Sequence, residues 1–276
     1  MKTLTLGYSP CPNDTFIFYA LTHGKIDAPG ITVAESLEDV ETLNRRAMKA
    51  ELDLTKVSFH ALAYLRKDYC LLRSGGALGR GCGPLVVTKK HDSMSKLRGR
   101  KIAVPGRYTT AHLLLMLYDT GYENVAMMPF DRIMPAVAAG EVDAGVIIHE
   151  GRFTYQGYGL RKLLDLGEWW EAETTLPIPL GGILAKRSLG AEVISAAEAA
   201  VRESVKYAFS HRDEARSYIK AHAQEIEDSV IEGHINLYVN DFSIDLGDEG
   251  VRAVEELFSL SMARGIIPGS YIPLFL

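Results

Sequence analysis

The sequence is poor in the features that would assign it quickly. It holds three cysteines, Cys11, Cys70 and Cys82, in 276 residues. They form no C-x-x-C pair, which excludes a disulfide scaffold, and they read as free thiols of a reducing compartment. No stretch approaches the ~20 apolar residues of a membrane-spanning helix. Positive charge is in deficit: 30 Lys plus Arg against 35 Asp plus Glu leave a net charge of −5. No basic run exceeds two or three residues, so a dedicated nucleic-acid binder is not expected. There is no H-E-x-x-H, no Cys/His cluster and no EF-hand loop, and therefore no metal is expected. Internal repeats and low-complexity tracts are missing too. The N-terminus, MKTLTLGYSPCPND, has too short an apolar part for a signal peptide and alternates like a strand, so the expected location is the cytoplasm.

What is present is ordinary globular material: 47% hydrophobic and 24% charged residues, with a length worth about two domains at roughly 150 residues each. Short apolar runs alternate with amphipathic ones. Strands are expected at 3–9, 31–36, 52–57 and 84–89, with helices at 14–22, 38–49 and 59–66 between them. The same grammar repeats with strands at 101–105, 125–130 and 143–149 and helices at 110–119 and 131–139, the latter ended by Gly140. After an extended stretch at 177–187 the pattern is helical nearly to the end. This predicts an α/β protein with a largely parallel sheet in each of two lobes. Two chain crossings, near 88–100 and 168–182, make one lobe from residues 1–88 plus 182–276 and a second, inserted lobe from 89–181. Ligands of open α/β sheets sit outside the C-terminal strand ends, which puts the site in the cleft between the lobes.

Three polar loops reach those strand ends. The first is Ser9-Pro10-Cys11-Pro12-Asn13-Asp14-Thr15, with Asn13 and Asp14 both suited to cap a helix. The second carries Ser58 and His60, and the third is Thr109-Thr110-Ala111-His112. Each precedes a helix, whose unpaired N–H groups suit a carboxylate or phosphate. Capping alone would also explain Ser, Thr and Asn at such places. His149 ends the apolar run GVII, with Glu150 and Arg152 beside it, and is the candidate general base. A structural histidine is the competing reading. His60 and His112 are candidate secondary contacts, whereas His23, His91, His211, His222 and His234 read as surface residues. Arg80, in the glycine-rich run 75–87, could pair with a substrate carboxylate or stand in solvent. That run is followed by a strand and is not a nucleotide fingerprint. Cys11, near a helix start, is a weak candidate for a low-pKa thiol. Trp169 and Trp170 read as lobe packing, and the apolar end IIPGSYIPLFL as a possible homodimer surface.

SPCPNDTFIFYAL (9–21), LDLTKVSFHAL (52–62), GRGCGPLVV (79–87), VIIHEGRFTY (146–155) and LPIPLGGI (176–183) together resemble the 1,4-dihydroxy-6-naphthoate synthases of the futalosine route to menaquinone. The resemblance runs from residue 1 to about 260. It implies a two-lobed, periplasmic-binding-protein-like (type II) fold and a cytoplasmic carbon–carbon lyase without metal or organic cofactor. The implied substrate is cyclic dehypoxanthinyl futalosine, and the implied products are 1,4-dihydroxy-6-naphthoate and dihydroxyacetone. The family's histidine base maps onto His149. Two alternatives stay open from the residues: a small-carboxylate binding protein of the same fold, and the sister chorismate dehydratase.

Overall fold

A computed structural model describes residues 2–225 and 227–276. The chain runs β1 (Lys2–Tyr8), α1 (Pro12–Thr22), β2 (Ile31–Leu37), α2 (Val40–Met48), β3 (Leu54–Ser58), α3 (Phe59–Leu65), β4 (Tyr69–Leu71) and β5 (Ala77–Gly79). It continues through β6 (Leu85–Thr88), β7 (Ile102–Val104), α4 (Thr110–Tyr118), β8 (Val125–Met127), α5 (Phe130–Ala139), β9 (Ala144–Ile147), α6 (Gly151–Thr154), β10 (Arg161–Asp165), α7 (Leu166–Thr174) and β11 (Ile178–Lys186). Five helices close it: α8 (Ala191–Ser210), α9 (Arg216–His222), α10 (Asp228–Tyr238), α11 (Asp241–Ile244) and α12 (Gly247–Ala263).

The local reasons are visible in the residues. Asp39 caps α2 by accepting from the N–H groups of Glu41 and Thr42. Gly140 takes a left-handed conformation, φ 80°, and stops α5. In α8, Ile194, Ala197, Val201, Val205 and Ala208 recur at helical spacing and are buried. That face packs on α1, where the buried Ser204 hydroxyl donates to Ile17 O at 2.6 Å and accepts from Leu21 N at 3.0 Å.

The strands form two sheets, ordered β2-β1-β3-β11-β4 with β5 also on β11, and β10-β6-β9-β7-β8. The expected largely parallel pairing holds only in part. β1 is parallel to β2 and β3, and β7 to β8 and β9. β11 and β6, in contrast, are antiparallel to every neighbour. Both are strands on which the chain has just changed sheet, so they enter from the opposite end. The expected boundary at 88 also needs correcting for one strand: β6 is hydrogen-bonded within the second sheet, and the first crossing lies at 80–84. Short strands β4, β5 and β10 are additions to the expected elements, being too brief for a periodic signal, and α7 occupies part of the stretch read as the second crossing. Asn13 and Asp14 lie inside the first turn of α1, whose N-cap is Cys11 with Pro12 behind it. The C-terminal end is less free than expected. Leu71 N donates to Leu274 O at 2.7 Å, and Arg187 donates to Pro273 O. Leu274 is buried, while Tyr271 and Leu276 stay exposed.

The two crossings meet backbone to backbone. A Cβ on Gly83 would fall 2.2 Å from Gly167 N, and one on Gly167 would fall 2.7 Å from Gly83 N. Arg152 Nη1 donates to Gly83 O at 2.7 Å, and its Nη2 to Asp165 Oδ2 at 2.6 Å. Asp165 in turn accepts from Gly167 N at 2.9 Å. Gly83→Ala is expected to cost about 2–3 kcal/mol in urea unfolding, because backbone cannot yield as a side chain does. Gly157→Ala, with nothing near its Cβ position, should stay within about 0.5 kcal/mol. Equal effects at the two sites would refute the contact.

Candidate active site

The cleft between the sheets holds about 660 Å³ of empty space, open mouth included, which suits a small organic ligand. Its walls come from strand ends and helix starts. The turn after β1 supplies Ser9, with Asn13 and Asp14 from α1. β3 supplies Lys56 and Ser58, which share one sheet face because they are two residues apart. Thr109, Thr110 and Ala111 enter from the start of α4, and His149 from beyond β9. Of the residues singled out in the sequence, His60, His112, Cys11 and Arg80 do not line it. His60 is buried behind Thr109, its Nδ1 3.3 Å from Thr109 O. Arg80 is half exposed and donates to Glu249 Oε1 at 2.9 Å and Thr175 O at 3.0 Å.

At the floor, Lys56 and Asp14 make a buried ion pair, Nζ to Oδ1 3.2 Å. Lys56 also donates to Gly75 O at 2.9 Å. Asp14 accepts from Ser9 Oγ at 2.7 Å and from Asn13 Nδ2 at 2.8 Å. Ser58 is held by Asn44: its N–H donates to Asn44 Oδ1 at 2.9 Å, and its Oγ accepts from Asn44 Nδ2 at 3.2 Å. The Ser58 hydroxyl hydrogen is left for the cleft. Thr109 caps α4, accepting from His112 N. Thr110 Oγ1 donates to Leu180 O at 2.6 Å, tying α4 to β11. The N–H groups of Thr110 and Ala111, in the first helical turn, have no intrahelical partner and lie at the positive end of the α4 dipole.

His149 sits opposite in a left-handed backbone conformation, φ 56°. For a residue with a Cβ this costs about 1–2 kcal/mol, and such strain gathers at functional sites. Phe130 packs edge-on at 5.1 Å, and His234 stacks at 6.0 Å with the rings 11° apart. Burial pushes His149 below the ordinary imidazole range. Glu150 and Asp14 pull it back up, and Lys56 adds to the lowering. Burial therefore favours the uncharged imidazole at this position.

His234 was expected at the surface and is instead fully buried. It lies on α10 in line with Ile231, Ile235 and Tyr238, an apolar stripe that could have shown its inward face. Burial, with His149 beside it, drives its basicity well down. Asp14, read from the sequence as a helix cap, is instead half of the buried ion pair, and its partner Lys56 carries one sequence mark, the i, i+2 relation to Ser58 that puts it on the same face. Cys11 departs from expectation: burial first, then the charge of Glu150, push its thiol well above the usual range. Cys11 Sγ, His149 and Glu150 donors lie within 4.8 Å of one another.

Residues 4–263 match a family profile described as menaquinone biosynthesis. The chain belongs to that family. It is 56% identical over 275 residues to the 1,4-dihydroxy-6-naphthoate synthase of Thermus thermophilus, covering 100% of both chains. It is 50% identical to the synthase of that name from Streptomyces coelicolor, over 96% of this chain and 95% of the other. A solved protein of Archaeoglobus fulgidus superposes with TM-score 0.91 at 41% identity, covering 96% and 98%. A Candida albicans protein described as having the generic periplasmic binding protein fold superposes with TM-score 0.71 at 14% identity, covering 98% and 92%. The fold is thus the two-sheet binding-protein architecture, used here by an enzyme of menaquinone biosynthesis. Among the described residues no helix is long and apolar enough to cross a membrane.

Two outcomes follow from the buried charges. Lys56→Met should destabilise by about 3–5 kcal/mol, since it strands the Asp14 carboxylate, and adding Asp14→Asn should recover part of the loss. Additive single losses in urea unfolding would show that the two residues are not coupled. His60 is held down to a pKa of about 4 by burial, then by the charges of His112 and Arg107, against an ordinary 6.5. The unfolded chain therefore binds a proton over this interval that the fold does not. His60's contribution is full above about pH 6.5 and falls by about 2–3 kcal/mol as pH drops toward 4. His60→Gln should flatten the stability profile over that window, and an unchanged slope would contradict the assignment.

Proposed function

We propose that this chain is a 1,4-dihydroxy-6-naphthoate synthase, a carbon–carbon lyase that works without metal or organic cofactor. It splits cyclic dehypoxanthinyl futalosine into 1,4-dihydroxy-6-naphthoate and dihydroxyacetone, in the cytoplasm. The single observation that carries the reading is a neutral, strained histidine facing a helix N-terminus across a cleft of ligand size, in a chain with full-length synthase relatives.

His149 removes the substrate proton. The N–H groups of Thr110 and Ala111 and the Ser58 hydroxyl hold the substrate carboxylate or the enolate oxygen that develops as the bond breaks. Ser9 and Asn13 act through Asp14, which they orient. Aromatisation of a product ring supplies much of the driving force, so the protein's part is to position, to take the proton and to exclude water. The lobes 1–88 plus 182–276 and 89–181, with β6 moved to the second, act as the two walls.

Purified protein incubated with cyclic dehypoxanthinyl futalosine and a chelator is expected to yield dihydroxynaphthoate by mass spectrometry. Unchanged substrate that raises the melting temperature would favour a binding protein, and neither product nor protection would overturn the substrate. His149→Asn should fold normally and lose turnover by about 10²-fold or more. Turnover near that of the parent would remove His149 as the base.

A further inference from the structure

The described residues leave few buried side-chain polar atoms without a hydrogen bond. Three of them lie together: Glu150 Oε1, Glu150 Oε2 and His234 Nδ1. Glu150 is 3% exposed and His234 0%. Nothing in the proton removal by His149 requires either residue.

The hydrogen-bond chain from the cleft floor decides which atoms carry protons. Asn13 Nδ2 donates to Asp14 Oδ1 at 2.8 Å, so the Asn13 amide presents its oxygen to His234. That oxygen lies 2.9 Å from His234 Nε2. An amide oxygen only accepts, so Nε2 bears the hydrogen. Neutral His234 then has a bare Nδ1, and this atom faces Glu150 Oε2 at 3.9 Å. An acceptor faces an acceptor. A buried carboxylate without a donor costs several kcal/mol, a cost offset once a cation forms beside it. The cation available there is the imidazolium of His149, whose donor atom lies within 4.8 Å of the Glu150 carboxylate.

We propose that Glu150 is a positioning residue for His149, a buried carboxylate held unpaired as counter-charge to the imidazolium, and that His234 keeps it unpaired by offering it no proton. This rests on His149 being the base. The other groups facing His149 are Asp14 from α1, Lys56 from β3, Asp39 before α2 and the neutral Cys11 thiol. Lys56 and Asp14 neutralise each other, and Asp39 is bonded to the N–H groups that open α2, which leaves Glu150 as the adjacent acid with no hydrogen-bond partner. The pair also spans the cleft, since Glu150 follows β9 and His234 stands on α10. Hence the field on His149 is complete only with the two lobes in this arrangement.

The test is a histidine NMR titration of the full chain without substrate, comparing the parent with Glu150→Gln, Glu150→Asp and His234→Gln, alongside kcat/KM against pH. Glu150→Gln should move the His149 midpoint down by about 1 pH unit, the size expected on losing an opposite charge at this range. The acid limb of kcat/KM should move with it. Glu150→Asp should restore the midpoint. His234→Gln supplies an amide donor to Glu150 and should move it in the same downward direction, which keeps the test open if the Glu150→Gln protein does not fold. An unmoved midpoint in folded Glu150→Gln or His234→Gln protein overturns the proposal, as does lost turnover with the acid limb in its parental place. The titration needs no reaction. A shifted midpoint with parental turnover in His149→Asn would therefore sink the base assignment and leave the charge coupling standing.

Discussion

The Lys56–Asp14 ion pair at the cleft floor is the contact on which the site depends. Two buried charges are tolerated only when each keeps a full set of partners. Meeting that condition recruits Ser9, Asn13 and the carbonyl of Gly75. The partners fix the turn after β1 against β3 and set the face that Ser58 shares with Lys56. They also fix which way the Asn13 amide points, and through it the tautomer of His234. A stability requirement and the electrostatics around His149 are thus parts of one hydrogen-bonded chain.

The second constraint is that the polypeptide changes sheet twice and the crossings touch. Gly83 and Gly167 are in backbone contact, with Arg152 and Asp165 bonded across the junction. Nearby, Trp170 is buried and donates from Nε1 to Pro177 O at 3.1 Å. One apolar cluster runs through this region, joining Phe59 and Leu62 of α3, Leu113 and Leu114 of α4, and Leu257 and Phe258 of α12. The walls of the cleft therefore share a core, and Thr110 of α4 is bonded to β11 in the other sheet. Such coupling holds the start of α4 and His149 in register across the cleft.

Much of this was legible in the chain. The alternation of short apolar runs and amphipathic segments located most strands and helices within a residue or two, because burial on one face imposes its period on local sequence. The loops carrying Ser9, Asn13, Ser58 and Thr109–Ala111 were legible because a cap residue next to an apolar run marks a helix start. His149 was legible as a histidine closing a buried strand. Arg80 and His60 carried no local mark of their distance from the cleft. Arg80 is drawn outward by Glu249, a residue 169 positions away.

The sequence by itself determined the element types, the existence of two α/β units, and the residue types available at the strand ends. These follow from neighbours along the chain, whose spacing sets periodicity and capping. Tertiary structure alone decided that β6 and β11 run against their neighbours. It alone brought Lys56 to Asp14, and it buried His234 against His149 and Glu150 rather than leaving it in solvent. Those outcomes depend on segments more than 40 residues apart meeting in a medium of low polarity, where a charge or a lone pair is defined by what faces it and not by what precedes it.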